Sequence, residues 1–122
     1  MKTTKFSRSY QISVDFINCD FNLVKFNYFL TEIKKILKIN KIKFIKYLYH
    51  TFKKNNGTTI VFILSNSHLS IHTWPEKNLV NLDLFICNFT KNYHQQILNS
   101  YKDFKKLLKP KKTIFKKIIR IT

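Results

Sequence analysis

Residues 60–76 read Ile60-Val61-Phe62-Ile63-Leu64-Ser65-Asn66-Ser67-His68-Leu69-Ser70-Ile71-His72-Thr73-Trp74-Pro75-Glu76. An apolar run opens this stretch, and a second one, Leu82-Asp83-Leu84-Phe85-Ile86-Cys87, follows it. Short runs rich in Ile, Val, Leu and Phe, bounded by polar clusters, are typical of buried strands. The polar residues therefore begin at a turn between two strands and continue into a strand of their own. A rigid sheet is predicted to hold their side chains.

Hydrophobic periodicity on both sides of this stretch predicts the remaining elements. Residues 10–16 alternate between apolar and polar, as in a half-buried strand. Residues 26–37 repeat at helical spacing, with Asp20 as the predicted N-cap, and residues 93–108 form a second amphipathic pattern, with Thr90 as its cap. Further strands are predicted at residues 42–49 and 113–121, the latter an edge strand guarded by lysines.

The resulting order is β-α-β-β-β-β-α-β. It predicts an α+β fold, a two-layer sandwich with a mostly antiparallel sheet and both helices on one face. A chain of 122 residues supports one core, so residues 1–122 are predicted to form a single domain. A hydrophobic content of 44%, with 12 Phe and 6 Tyr, excludes disorder as the main state.

The net charge of +17 favours anionic partners. However, the lysines are scattered along the whole chain and occur with many Asn, Ile and Phe residues. A coding sequence rich in A and T explains this mixture better than selection for nucleic acid binding. Nucleic acid is therefore not the predicted partner.

The cysteines and the N-terminal residues bear on the compartment. Cys19 and Cys87 are too few for a disulfide framework and fit a reduced protein. Residues 1–5 are basic but lead into mixed polar residues, and no apolar run approaches the length of a membrane span. A cytoplasmic protein without a membrane segment is expected.

Two familiar chemistries fit the polar stretch poorly. His68 and His72, with Glu76 or Cys87, would supply three zinc ligands, but the spacing matches no common zinc pattern, so no metal is predicted. Acyl transfer would use Ser67 or Ser70 with a histidine base and Asp83 to orient it. The Gly-x-Ser-x-Gly turn of such enzymes is absent from the sequence.

A third chemistry uses the backbone as its own substrate. A serine in a strained turn attacks the preceding carbonyl and forms an ester, and elimination then leaves dehydroalanine, which hydrolyses to a pyruvoyl group. This α-keto cap can form a Schiff base with an amino acid and serve as an electron sink, the role that pyridoxal phosphate has elsewhere.

A family resemblance rests on these same residues. Residues 67–76, followed by residues 83–87 with their cysteine at the expected distance, resemble the core of the small prokaryotic S-adenosylmethionine decarboxylases. Residues 14–20 are similar to the family's first strand and its acidic position. Residues 50–52, followed by a glycine turn, are similar to the segment that brings an aromatic ring to the adenine.

The resemblance implies self-cleavage between Asn66 and Ser67, giving a β chain of residues 1–66 and an α chain of residues 67–122. Ser67 would become the pyruvoyl group. His72 would accept the processing proton, and Thr59 occupies the place of a serine that assists cleavage. Cys87 would protonate the product after CO₂ leaves.

The resemblance also implies a substrate and an assembly. Glu76 would hold the ribose hydroxyls and Phe52 would stack on adenine, while Asp15 is either a substrate contact or the solvent side of its strand. Family members are homodimers of processed protomers. Their product, decarboxylated S-adenosylmethionine, donates aminopropyl groups for spermidine synthesis.

The chain departs from the family at some positions. Asn66 stands where the family has Glu, but the attack is on a main-chain carbonyl, so cleavage is expected to survive. Thr59 keeps the hydroxyl of the family's serine. Two alternatives remain open: a pyruvoyl-dependent decarboxylase of arginine or ornithine, and a basic binding or regulatory protein that no longer cleaves.

Overall fold

The structure of the protein, a computed structural model, describes residues 5–89 and 91–122. Its helices and strands follow the predicted order. They are β1 (Arg8–Cys19), α1 (Phe26–Ile39), β2 (Phe44–Thr51), β3 (Thr58–Leu64), β4 (Ser67–Trp74), β5 (Leu79–Ile86), α2 (His94–Leu108) and β6 (Pro110–Ile121), with a short 3₁₀ turn, Pro75–Lys77, between β4 and β5.

The strands form one antiparallel sheet in the order β2-β3-β4-β5-β1-β6. The α+β prediction is confirmed, and β6 is an edge strand as expected. Alternate residues of β1, β3, β4 and β5 are buried, including Ile12, Phe62 and Leu84. They share one core with Ile33 of α1 and Phe104 of α2, so both helices lie against the same face of the sheet.

The predicted capping of α1 by Asp20 is wrong. The helix begins at Phe26, and its N-cap residue, Lys25, makes no side-chain capping hydrogen bond. Asp20 is held elsewhere, because its N–H donates to the carbonyl of Leu108 at the end of α2 (2.9 Å). The segment between β1 and α1 is thus tied to the other helix, and a tertiary contact overrides a local capping signal. Thr90, the predicted cap of α2, lies outside the described residues.

Gly57, the only glycine of the chain, lies in the turn between β2 and β3, and a side chain at this position is expected to destabilise the fold. A Cβ atom there would lie 2.8 Å from the carbonyl oxygen of Thr73 and 3.1 Å from Oδ1 of Asn55. Gly57→Ala must therefore push the turn away from β4, and we expect it to lower the free energy of unfolding by about 1–3 kcal/mol. Urea denaturation measures this loss.

The neighbouring Asn56→Gly variant is the control for that substitution. Asn56 has a φ of 59°, which glycine adopts without strain, so this change is expected to leave stability unchanged or slightly raised. Equal urea midpoints for Gly57→Ala and the unmodified protein would contradict the close approach of this turn to β4.

The part of the chain that the structure describes contains no helix that could cross a membrane. Neither helix there combines the length and apolar character that a transmembrane span requires.

Candidate active site

The sheet face that points away from the helices carries most of the polar side chains, and we call it the open face. Strand pairing aligns these side chains in rows across the sheet. One row contains His50, Thr59, His72, Asn81, Asp15 and Ile114. The next row contains Leu48, Val61, Ser70, Asp83, Ser13 and Lys116. Three of the predicted site residues therefore share one row.

The turn between β3 and β4 holds the peptide bond predicted to be cleaved. Ser67 has a φ of 130°, in a region that residues with a side chain rarely adopt. Such a conformation costs about 1–3 kcal/mol and persists only where the surrounding structure imposes it. The N–H of Cys87 donates to the carbonyl oxygen of Asn66 (2.8 Å), and the N–H of Ser65 donates to the carbonyl of Lys43 (3.0 Å). The turn is thus strained and fixed on both sides.

The two cysteines have different surroundings. Cys87 is half-buried and follows β5 directly, beside Ser67, because Ile86 pairs with Ser67 across the strands. Cys19 is buried, and its Sγ donates to the carbonyl of Phe16 (3.3 Å). Burial raises the pKa of Cys19 to about 11, so this group stays a thiol near neutral pH. Cys87 is therefore the cysteine positioned for chemistry at the turn.

The far end of β4 gathers a second set of site residues. Oγ1 of Thr59 lies 3.0 Å from Nδ1 of His72. Both residues line a cavity of about 140 Å³ together with Phe52 and Trp74. Asn55, which also lines it, donates from Nδ2 to Oε2 of Glu76 (2.8 Å).

Asp15 connects to this second set through Asn81. The indole Nε1 of Trp74 donates to Oδ1 of Asn81 (2.7 Å), and Nδ2 of Asn81 donates to Oδ1 of Asp15 (2.8 Å). Trp74 is 38% exposed, and this hydrogen bond orients its ring. Sequence reasoning missed Asn81 and Asn55. The signal for Asn81 lies in the strand pairing, which aligns it with both His72 and Asp15, whereas Asn55 lies in the turn between β2 and β3 and has no such signal.

The predicted site residues thus fall into two groups. The cleavage end contains Asn66, Ser67 and Cys87. The binding end contains Phe52, Thr59, His72 and Glu76, and Asp15 is joined to it through Asn81. Ser67 and His72 are five residues apart on one strand, a separation of about 17 Å. A single copy of the chain does not bring the predicted proton acceptor to the predicted cleavage site.

Metal ligation was one chemistry open to the polar stretch. Among residues 5–89 and 91–122, no three side chains of His, Cys, Asp or Glu converge in a way that could hold a metal ion.

Comparison with known proteins identifies the family. The sequence profile of the S-adenosylmethionine decarboxylase family matches residues 10–121. An S-adenosylmethionine decarboxylase proenzyme of Clostridium botulinum is 31% identical over 80 residues, which cover 65% of this chain and 68% of that protein. The proenzyme of Brevibacillus brevis is 44% identical over 64 residues, which cover 52% of this chain and 45% of that protein.

A solved structure supports the fold. The crystal structure of the adenosylmethionine decarboxylase from Aquifex aeolicus VF5 superposes with a TM-score of 0.76 at 24% identity, covering 90% of this chain and 88% of that one. The profile match covers nearly the whole chain and extends the similarity from the fold to the family. The chain belongs to the S-adenosylmethionine decarboxylase family of enzymes.

Proposed function

We propose that the chain cleaves itself between Asn66 and Ser67 and then decarboxylates S-adenosylmethionine with a pyruvoyl group made from Ser67. One observation carries this proposal: the strained φ of 130° at Ser67, next to a carbonyl already held by the N–H of Cys87. Breaking the peptide bond releases the strain. The products are a β chain of residues 1–66 and an α chain of residues 67–122.

The proposed self-cleavage needs no oxidant or reductant. Oγ of Ser67 attacks the carbonyl carbon of Asn66, and the peptide C–N bond breaks as the ester forms. The N–H of Cys87 stabilises the oxyanion that develops on the Asn66 oxygen. Removal of the Cα proton of Ser67 then breaks its Cβ–Oγ bond, so Asn66 leaves as a carboxylate. The dehydroalanine takes up water and releases ammonia.

His72 is the proposed acceptor of that Cα proton. When Nδ1–H of His72 donates to Oγ1 of Thr59, 3.0 Å away, Nε2 carries no proton and is free to act as a base. Thr59 thus orients the ring and selects the tautomer. Its methyl group does not disturb this contact, which supports its equivalence to serine here.

In a dimer, the second copy of the chain brings its His72 close to Ser67 of the first. Ser67 and His72 lie toward opposite ends of β4. In the proposed dimer, the open faces of two copies stack about a two-fold axis, so that their β4 strands run antiparallel. Each Ser67 then lies near the binding end of the partner copy. The open face has the apolar residues that such an interface needs, since Leu48, Val61 and Ile63 are 73%, 39% and 45% exposed. We propose a homodimer with composite sites.

Mixed dimers test this arrangement. Ser67→Ala and His72→Ala copies, with different tags, are each expected to remain uncleaved when produced alone. Produced together, one of the two composite sites has an intact Ser67 and an intact His72, so the His72→Ala chain is expected to be cleaved. Mass spectrometry of the mixed dimer measures cleavage of the His72→Ala chain directly. Absence of cleavage in mixed dimers would mean that His72 acts within its own chain.

The binding end fits the nucleoside part of the substrate. Phe52, 49% exposed, offers a ring for stacking on adenine, and Glu76 is positioned by Asn55 to accept hydrogen bonds from the ribose. The substrate is cationic, and Asp15, Glu76 and Asp83 are three of only six acidic residues. Their place on or beside the open face offsets the surrounding charge of +17 locally.

The pyruvoyl group, once formed, serves as the electron sink for decarboxylation. Cys87 stands beside Ser67 and is the proposed donor of the proton that replaces CO₂. The product would supply aminopropyl groups for spermidine synthesis.

Release of CO₂ from carboxyl-labelled substrates tests the assignment. S-adenosylmethionine is expected to be decarboxylated, whereas arginine and ornithine, which lack the adenosine that Phe52 and Glu76 bind, are not. A higher kcat/KM with arginine or ornithine would overturn the substrate assignment and leave the pyruvoyl chemistry in place.

A further inference from the structure

A cavity of about 310 Å³ lies beside the cleavage turn, on the side of the sheet that the helices cover. Asn66 and Ser65 line it, together with the buried core residues Leu64 and Ile86. Three lysines from separate segments complete its wall: Lys41 and Lys43 from the α1–β2 connection, and Lys91 from the segment before α2.

These lysines have no anionic partner in the described part of the chain. The one ion pair found there joins Lys35 and Glu32 on α1. Lys41 and Lys43 also edge a second cleft, of about 670 Å³, together with Lys34 and Lys38. Like charges that line one cavity repel one another and favour an anion among them.

The proposed cleavage creates an anion at this place. Elimination at Ser67 releases Asn66 as a main-chain carboxylate, and Asn66 already lines the lysine cavity. One of the two carboxylate oxygens is the former carbonyl oxygen, which the N–H of Cys87 contacts before cleavage. This hydrogen bond to a charged oxygen is stronger than the one to the neutral carbonyl.

The substrate carboxylate is a poorer occupant of this cavity. Decarboxylation removes that charge, so lysines gathered around it would stabilise the bound substrate more than the transition state and slow the reaction. A permanent carboxylate, made once by cleavage, carries no such cost.

We infer that Lys41, Lys43 and Lys91 form a docking site for the new C-terminal carboxylate of Asn66. The site rests on the proposed self-cleavage. It retains the end of the β chain after the covalent link is lost, and keeps its carboxylate away from the new N-terminal group of residue 67. The positive charge around the turn thereby acquires a partner only in the processed protein.

A comparison of cleaved and uncleaved protein tests this site. The triple variant Lys41→Gln, Lys43→Gln, Lys91→Gln is made in the natural chain and in the uncleavable Ser67→Ala chain, and urea midpoints are measured for all four proteins. Neutralising the lysines is expected to lower the midpoint of the cleaved protein by about 0.5 M or more, and to leave the uncleaved midpoint unchanged or higher. Added salt should shrink the loss in the cleaved protein.

The control replaces three exposed lysines outside the cavity, Lys102, Lys106 and Lys111, with glutamine. It changes the net charge equally and is expected to spare the cleaved protein. Equal shifts for the cavity variant in cleaved and uncleaved backgrounds would overturn the docking site alone. A natural chain that intact mass finds uncleaved forms no carboxylate at Asn66, and would overturn both the docking site and the proposed self-cleavage.

Discussion

Ser67→Ala is expected to leave a single uncleaved chain of about 14.7 kDa and to abolish decarboxylation. Alanine lacks the oxygen that attacks the Asn66 carbonyl, so neither the ester nor the pyruvoyl group can form. Mass spectrometry of denatured protein follows cleavage, and release of labelled CO₂ follows activity. Both are expected to fall to the background level, because the attack needs a hydroxyl on the residue that follows the Asn66 carbonyl, and the other hydroxyl of the turn, on Ser65, precedes it.

Two further variants make this result specific. Ser70→Ala removes the other serine hydroxyl of β4 and is expected to cleave normally, since Ser70 pairs with Val61 and Asp83 away from the turn. Ser67→Gly is expected to remain uncleaved yet to be more stable than Ser67→Ala by about 1–3 kcal/mol, because glycine adopts a φ of 130° without strain. Cleavage of Ser67→Ala, or loss of cleavage in Ser70→Ala, would place the nucleophile elsewhere.

Cys87→Ala is expected to separate the two reactions. The main-chain N–H of residue 87 remains, so the Asn66 carbonyl is still held and cleavage proceeds. The thiol is lost, and general acid catalysis by a positioned side chain is worth about 10²–10⁴ in rate. Decarboxylation should therefore fall by about that factor in a fully cleaved protein, as measured by kcat for CO₂ release.

Cys19→Ala is the matched control for this variant. Cys19 is buried against Phe16, away from the turn, so its loss is expected to reduce stability slightly and leave kcat unchanged. An unchanged kcat in Cys87→Ala would contradict the proton-donor role. Failure of Cys87→Ala to cleave would instead assign the thiol to processing.

Local periodicity predicted much of the fold. Alternation in residues 10–16 and the apolar run at 60–64 correctly identified two strands with one buried face each. The predicted N-cap of α1 was wrong because the position of Asp20 is determined by a hydrogen bond to Leu108, 88 residues later in the chain, which no local pattern can reveal.

The site was harder to predict because its parts are joined by strand pairing. Ser67, His72 and Cys87 were recognised from their motif, but a motif does not show that the first two lie toward opposite ends of one strand. Asn55 and Asn81 act through hydrogen bonds to residues on other elements, and nothing in their own surroundings in the sequence distinguishes them from the many other asparagines. The backbone strain at Ser67 likewise appears only in three dimensions.

The intact mass of the purified natural chain under denaturing conditions tests the central claim most directly. Self-cleavage predicts two fragments divided between residues 66 and 67, the first ending in a free Asn66 carboxylate and the second carrying the mass of a pyruvoyl group in place of Ser67. A single chain of 14.7 kDa would contradict the account, and would favour a binding or regulatory role on the same fold.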